Sequence, residues 1–209
     1  MSRLPQPPLL VISDRRQARR PLEEIAHSIF AGGCRWLSLR EKDLPAGERR
    51  DLLRALVALG RPFGAVVMAH EDIEAVWAAG AAGLHLPAGA DPAAARARLP
   101  QALIGASTHS AEEASALFRA GADYVTLSPI FASESKPRYG PALGLEGLAR
   151  AVREAPGAIV ALGGIDPANA AAVLAAGASG VAVMGAVMRA QEPQDMVERL
   201  IAAIAGHVG

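Results

Sequence analysis

Residues 174–183 have the sequence LAAGASGVAV, in which an alanine-rich helix end meets a glycine and then a short apolar strand. Glycine readily takes the left-handed conformation that ends a helix, and valine favours a strand. The same order of residue types recurs at 30–39, 77–86 and 118–127. The helix-ending glycines predicted from this pattern are Gly32, Gly80, Gly121 and Gly177. The chain therefore repeats a helix–turn–strand unit.

Further short apolar runs lie between these units, at 9–12, 65–68, 103–106 and 158–162. Helix-like spacing of apolar residues occurs at 46–59, 92–99, 111–120 and 146–154. We therefore predict eight strands alternating with helices, which favours parallel strands. The expected fold is a compact α/β (βα)8 TIM barrel, with residues 1–209 in one domain. A doubly wound open sheet is the alternative, but no G-x-G-x-x-G pattern follows the first strand.

Composition excludes several classes of partner. Lysine and arginine number 21, as do aspartate and glutamate, so the net charge is zero and no nucleic-acid partner is expected. The uncharged stretch 167–188 is broken by 176–180, so we predict a helix, a turn and a strand rather than a membrane span. The single cysteine, Cys34, is expected to be buried. Residues 1–8 lack the apolar stretch of a signal peptide, so none is expected. We expect a cytoplasmic protein.

The carboxyl ends of the strands are where a barrel of this kind places its active site. Gly163 and Gly164 follow the seventh apolar run, and Met184 and Gly185 follow the eighth. Glycines at this point let backbone N–H groups approach an anion. The pattern predicts a phosphate site, although a glycine pair is also typical of an ordinary turn.

Several polar side chains follow the other strands. Arg40 and Lys42 fall on one side of a strand by alternation, so both are expected to bind an anion, with Glu41 facing outward. Either could instead be a solvated strand end. The loop after the sixth strand supplies Ser133, Ser135 and Lys136, which we expect to cover an anion unless Lys136 is a plain surface lysine.

Two histidines follow or lie on strands. Ser107 and His109 follow the fifth apolar run, and we expect Ser107 to bind substrate or phosphate. His109 fits a general acid or base at the barrel mouth, and equally fits a residue that helps to begin the next helix. His85 lies between Leu84 and Leu86, and we expect it to be buried and structural. No spacing typical of a Ser-His-Asp triad or a zinc site is present.

Eight short motifs together resemble those of a known family. They lie at 39–42, 83–86, 105–109, 122–124, 128–131, 133–136, 161–165 and 177–184. In order and spacing they resemble the thiamine phosphate synthase/TenI family, from about the first strand to the last helix. The resemblance implies an enzyme of thiamine biosynthesis whose partner is a small phosphorylated heterocycle, a thiazole phosphate. A homodimer is compatible with it, and neither nucleic acid nor a membrane is expected.

The family's synthases couple hydroxymethylpyrimidine diphosphate to a thiazole phosphate, with Mg²⁺ held by two acidic residues beside the leaving diphosphate. By this resemblance Glu71 takes one acidic position, whereas the second falls on Ala90 with Asp91 adjacent. Ser38 replaces a glutamine of the synthases. The cationic residues of the synthases that lie on the side of the diphosphate are matched here by Arg40, Lys42 and Lys136.

The family's TenI-like members resemble thiazole tautomerases, which move a proton on a carboxythiazole phosphate and require no metal or other cofactor. His109 matches their acid/base histidine, and residues 86–89 resemble the TenI proteins. These matches, and the departures from the synthase motifs, favour the tautomerase. The Mg²⁺-dependent synthase is the alternative. A second alternative is a non-catalytic regulator that binds a thiazole or thiamine phosphate.

Overall fold

The computed structural model describes residues 4–132 and 141–206. Within these two ranges, eight parallel strands form a closed barrel in which each strand pairs with the next along the chain. The last strand pairs with the first, with Leu9 opposite Val181 and Val11 opposite Val183. The predicted (βα)8 barrel is confirmed. An open doubly wound sheet is excluded, because its two unpaired edge strands do not exist here.

Each of the eight predicted apolar runs coincides with a strand, except that the third strand begins at Val66, one residue after the run predicted at 65–68. The strands are β1 (Leu9–Ile12), β2 (Trp36–Leu39), β3 (Val66–His70), β4 (Gly83–Leu86), β5 (Leu103–Thr108), β6 (Tyr124–Leu127), β7 (Ala158–Leu162) and β8 (Gly180–Val183). The helices in the described ranges are α1 (Leu22–Ala31), α2 (Ala46–Gly60), α3 (Ile73–Ala79), α4 (Pro92–Arg98), α5 (Ala111–Arg119), α6 (Gly144–Glu154), α7 (Ala170–Ala175), α8 (Gly185–Met188) and α9 (Pro193–Ala205).

Three helices begin at a residue whose side chain accepts a backbone N–H of the first turn. Asp72 accepts from Ala75 at the start of α3, and Ser110 accepts from Glu113 at the start of α5. Asp91 plays the same part for α4. Short oxygen-bearing side chains stabilise this position because the first N–H groups of a helix have no partner within the helix.

The helix-ending glycines follow the prediction with one correction. Gly80, Gly121 and Gly177 have φ angles of 65°, 98° and 98°. Gly32 does not take the left-handed conformation, since its φ is −72° and it is Gly33 that has φ 96°. Gly32 is instead a place of close approach to α9, because a Cβ there would lie 2.9 Å from a backbone oxygen of that helix.

The barrel interior is filled by large side chains at the amino ends of the strands. The Trp36 and Tyr124 rings meet edge to face with centroids 4.8 Å apart, and both are fully buried. The Trp36 indole N–H donates to Met68 Sδ at 2.9 Å. Val160 and Leu10 pack in the same interior cluster. This packing closes the amino end of the barrel and confines open interior space to the carboxyl end.

The uncharged stretch 167–188 folds as predicted, with α7 followed by a turn and then by β8. Within the part of the chain that the structure describes, no helix is both long enough and apolar enough to cross a bilayer. The expected burial of Cys34 is confirmed, because its side chain is fully inaccessible. Burial raises the pKa of the Cys34 thiol to about 11, so the thiol stays protonated and unreactive at neutral pH.

We expect Gly105→Ala to lower the free energy of unfolding by about 1–3 kcal/mol, because a Cβ at this position of β5 would overlap the Tyr124 ring. Urea unfolding followed by circular dichroism measures the change. Gly47→Ala is the control, since no atom lies within 4 Å of a Cβ there and alanine favours a helix by up to about 1 kcal/mol. Equal stability of the two variants would contradict the packing described.

Candidate functional site

A cavity of about 720 Å³ opens at the carboxyl ends of the strands. The predicted site residues that line it are Arg40, Ser107, His109, Gly163, Gly164, Met184 and Gly185. Three predicted residues, Lys42, Glu71 and Asp91, are not among the residues that line it. Ser133, Ser135 and Lys136 lie outside the described residues. The barrel thus brings together most of the predicted residues that the structure describes.

Arg40 is held at the rim by a buried network rather than by strand alternation. Its backbone N–H donates to Ser13 Oγ at 2.8 Å, and that hydroxyl donates to Glu41 Oε1 at 2.6 Å. The Arg15 backbone N–H also donates to both carboxylate oxygens of Glu41 at 3.1 Å. The loops after β1 and β2 are therefore tied together beneath Arg40.

The prediction that Glu41 faces outward is wrong, since the residue is 2% exposed. Strand β2 ends at Leu39, so the alternation of side chains does not extend to residues 41 and 42. Lys42 does not line the cavity beside Arg40 for the same reason. Its Nζ lies 2.6 Å from Glu71 Oε1, in a pair of half-exposed side chains.

His85 lies at the floor of the cavity and is buried, as expected. Its Nδ1 is 2.9 Å from the Tyr124 hydroxyl, and its Nε2 is 3.0 Å from Ser107 Oγ. Burial lowers the pKa of His85 well below its usual range, and the neighbouring His70 and Arg40 lower it further. His85 is therefore neutral at physiological pH, and it holds the Ser107 hydroxyl at the cavity wall.

His109 is held in place by one hydrogen bond of its ring and one of its backbone. Its Nδ1 lies 2.7 Å from the Ser128 carbonyl oxygen, which only accepts hydrogen bonds, so Nδ1 carries a proton. In the neutral ring Nε2 is then the basic nitrogen. The His109 backbone N–H donates to Glu113 Oε2 at 2.9 Å, which ties it to the first turn of α5. His109 therefore lies at a helix start and also lines the cavity, and its acid/base role stays a prediction.

Gly163 and Gly164 have φ angles of 105° and 64°, which strongly favour glycine. Space is also lacking, because a Cβ on Gly163 would lie 3.0 Å from the Pro129 backbone and one on Gly164 would lie 2.7 Å from Phe131. The Gly163 carbonyl accepts from Phe131 N–H at 3.0 Å, and the Gly164 carbonyl accepts from Asn169 at 2.9 Å. These contacts fix the orientation of both peptides at the cavity wall.

The two carboxylates predicted as metal ligands are engaged elsewhere. Glu71 Oε1 contacts the Lys42 ammonium and lies 3.2 Å from His70 Nε2. Asp91 Oδ1 accepts from the Ala93 N–H at 2.9 Å, as the cap of α4. Mg²⁺ requires several oxygens in octahedral geometry, and within residues 4–132 and 141–206 no group of three or more metal-ligating side chains exists. The described residues do not fit a magnesium site.

Sequence reasoning did not select Arg189, which also lines the cavity. It lies four residues after Gly185, and residues at this spacing share one face of a helix. The spacing therefore held a signal, although α8 is only four residues long and was not predicted as a helix. Asp166 lines the cavity as well, and its Oδ1 accepts from the Ala168 N–H at 2.8 Å.

Comparisons with known proteins cover almost the whole barrel. The family model described as thiamine monophosphate synthase, TMP-TENI, matches residues 9–187. A thiamine-phosphate synthase of Moorella thermoacetica is 40% identical over 194 residues, 91% of this chain and 92% of that protein. One from Methanoculleus marisnigri is 43% identical over 188 residues, 86% and 87% of the two. The solved thiamine phosphate pyrophosphorylase from Pyrococcus furiosus is similar with a TM-score of 0.87, at 31% identity and 96% coverage of each chain.

We expect Glu41→Gln to lower the free energy of unfolding by about 1–3 kcal/mol, because the amide loses one acceptor oxygen that the Ser13 hydroxyl and the Arg15 N–H require. Thermal and urea unfolding measure the loss. The matched control is Glu48→Gln on the exposed first turn of α2, for which a change within about 0.5 kcal/mol is expected. If Glu41→Gln were as stable as the control, the network would not hold the rim.

Proposed function

The chain belongs to the thiamine monophosphate synthase family, and we propose that it is a thiamine-phosphate synthase. The reaction joins hydroxymethylpyrimidine diphosphate to a thiazole phosphate and releases diphosphate. Support comes from relatives named thiamine-phosphate synthase that match most of the chain at about 40% identity. The departures in sequence favour a tautomerase, but the comparisons give better support to the synthase.

One observation about the cavity supports this proposal. The cavity has a cationic side chain, Arg40, after β2 and the glycine pair Gly163 and Gly164 after β7. These two anion-binding elements come from strands that are three steps apart around the barrel. A reaction between two phosphorylated substrates requires two such positions in one cavity, and a single phosphate site would not serve it.

We assign the thiazole phosphate to the glycine side. Positive φ angles at Gly163 and Gly164 turn successive peptides so that backbone N–H groups can converge on an anion. Gly185 and Met184 lie beside them at the start of α8. Ser107, oriented by the neutral His85, supplies a hydroxyl to the same cavity from β5.

We assign the pyrimidine diphosphate to the side of Arg40. A guanidinium binds phosphate oxygens in a bidentate way and stays charged at every physiological pH. We propose that Lys42 also binds the diphosphate. The same role is proposed for three residues outside the described ranges, Ser133, Ser135 and Lys136. Family resemblance implies magnesium here, but Glu71 and Asp91 do not fit that role in this arrangement. In this account Arg40 offsets part of the charge of the leaving diphosphate.

A second candidate, the thiazole tautomerase, is favoured by the geometry of His109. Ser128 fixes the proton on Nδ1, so a neutral His109 presents a basic Nε2. Such a ring can take a proton from one atom of a bound heterocycle and return it to another. This chemistry requires no metal, and it would use the same phosphate site.

We expect the purified protein to form thiamine phosphate from the two substrates in buffer that contains Mg²⁺. Arg40→Ala should raise KM for the pyrimidine diphosphate about tenfold or more and change KM for the thiazole phosphate less than about threefold, because only the diphosphate meets the guanidinium. Product is measured by chromatography. The control, Arg54→Ala, removes an exposed arginine of α2 that pairs with Asp51. Absence of product from the unaltered protein would refute the synthase.

The tautomerase is tested with His109→Asn, which keeps a hydrogen-bond donor near Ser128 and removes the titratable ring. We expect conversion of the carboxythiazole phosphate tautomer to fall about 100-fold or more, while binding of the thiazole phosphate stays within about threefold. Conversion is followed by NMR. His27→Asn, at an exposed position of α1, is the control. No conversion by the unaltered protein, or full conversion by His109→Asn, would eliminate this candidate.

A further inference from the structure

Three polar side chains of the barrel interior form a row of hydrogen bonds that runs from the packed amino end to the cavity. The Tyr124 hydroxyl lies 2.9 Å from His85 Nδ1, and His85 Nε2 lies 3.0 Å from Ser107 Oγ. Tyr124 is fully buried, whereas Ser107 is only partly buried and lines the cavity. Each of these hydrogen bonds can point in either direction, so the position of one proton on the His85 ring sets the direction of both.

Tyr124 decides the direction at the buried end of the row. Burial raises the pKa of Tyr124 well above its usual range, so the phenol keeps its proton and has one hydrogen to donate. Two acceptors lie within reach, His85 Nδ1 at 2.9 Å and Met68 Sδ at 3.5 Å. A thioether sulfur is a weak acceptor, and this one already receives the Trp36 indole N–H at 2.9 Å. The imidazole nitrogen is the nearer and stronger acceptor, so the phenol donates to Nδ1.

The two hydroxyls beside His85 Nε2 agree with this direction. Thr126 Oγ1 lies 3.3 Å from Nε2, in addition to Ser107 Oγ at 3.0 Å. A bare ring nitrogen has one lone pair and would accept from only one of these hydroxyls. A proton on Nε2 is instead shared between the two oxygens as a three-centre hydrogen bond. Both ends of the neutral His85 ring therefore indicate the tautomer with its proton on Nε2.

The direction of this row fixes what Ser107 offers to a ligand. Its oxygen accepts from His85 Nε2, so its own hydrogen is directed to the cavity that Ser107 lines. A hydroxyl in this state donates to an acceptor, such as a phosphate oxygen or a ring nitrogen. With the opposite direction, the Ser107 hydrogen would bind His85 and only the oxygen would face a ligand.

We propose that Tyr124 is a positioning residue, which holds the proton of His85 on Nε2 and thereby makes Ser107 a hydrogen-bond donor toward the bound ligand. The ligand class is a phosphorylated heterocycle that turns an acceptor atom, a phosphate oxygen or a ring nitrogen, toward β5. The identity of that heterocycle as the thiazole phosphate rests on the proposed function. The direction of the hydrogen bonds rests only on the contacts within the barrel.

The position of the proton is measured by long-range proton–nitrogen NMR of protein with isotope-labelled histidine, because the ring nitrogens of the two tautomers have distinct shifts. His85→Gln identifies the His85 signals by their loss, and we expect the Nε2–H tautomer in the unaltered protein. In Tyr124→Phe the two nitrogen shifts of His85 should move toward each other, because no phenol then favours either tautomer. Met68→Leu is the matched control, since it removes the weaker acceptor of Tyr124 from the same packed layer and should leave the tautomer unchanged.

Binding measurements connect the tautomer to Ser107. Dissociation constants are measured by calorimetry for the thiazole phosphate, the same thiazole as its free alcohol and inorganic phosphate. Ser107→Ala should weaken the thiazole phosphate about threefold to tenfold, the contribution of one hydrogen bond. Tyr124→Phe should weaken it about twofold, because about half of the molecules then present the donor. In the Ser107→Ala background Tyr124→Phe should have no further effect, which a merely structural role of the phenol would not produce.

The two simpler probes locate the acceptor on the ligand. If Ser107→Ala also weakens inorganic phosphate, the acceptor is a phosphate oxygen, and if it also weakens the alcohol, the acceptor is on the ring. Either result supports the donor role of Ser107. Unchanged affinity for all three probes in Ser107→Ala would contradict it.

An Nδ1–H tautomer of His85 in the unaltered protein would overturn the inference, whether or not Tyr124→Phe folds. So would an unchanged tautomer in Tyr124→Phe, or an equal effect of this variant with and without the Ser107 hydroxyl. The expected tautomer and Ser107-dependent binding of inorganic phosphate, without binding of either thiazole compound, would support the role of Tyr124 and contradict the proposed function. If the unaltered protein binds none of the three probes, both proposals are wrong.

Discussion

Closure of the barrel by hydrogen bonds between β1 and β8 is the constraint on which the site depends. In a closed ring of parallel strands all the carboxyl ends lie at one end of the barrel. The residues that follow every strand therefore lie around the same opening. Arg40 and Gly185 come from opposite ends of a long sequence and still line the same cavity. The loop after β1 also reaches the loop after β8, which places Gln17 beside Arg189.

The interior divides into an apolar layer and a polar layer. Trp36, Met68 and Tyr124 fill the amino end, and the Tyr124 hydroxyl meets His85 at the boundary. Gly105 gives the Tyr124 ring its space, since any side chain there would overlap the ring. Because the lower layer is closely packed, the polar atoms above it have fixed neighbours. This packing makes His85 a neutral support for Ser107 rather than a group that titrates.

Charged groups at the mouth are arranged mostly by partners far away in sequence. Glu41 is buried because Ser13 and Arg15 supply donors to it from another loop. Lys42 and Glu71 pair with each other from the loops that follow the neighbouring strands β2 and β3. The donors to Glu41 satisfy a carboxylate that would be costly to bury without partners. Arg40 and Arg189 both line the cavity.

Local patterns in the sequence were enough to predict the eight strands, the closed barrel and most of the glycine helix ends, because alternation and capping depend on residues close together in the chain. The same patterns placed His109 and Gly163 at the mouth. They failed just beyond the end of a helix, at Gly32, and just beyond the end of a strand, at Glu41, where no periodicity remains. There the conformation follows from contacts with α9 or with the loop after β1. The four-residue spacing from Gly185 gave a weak signal for Arg189, but only the folded protein shows that it lines the cavity and contacts Gln17, 172 residues away.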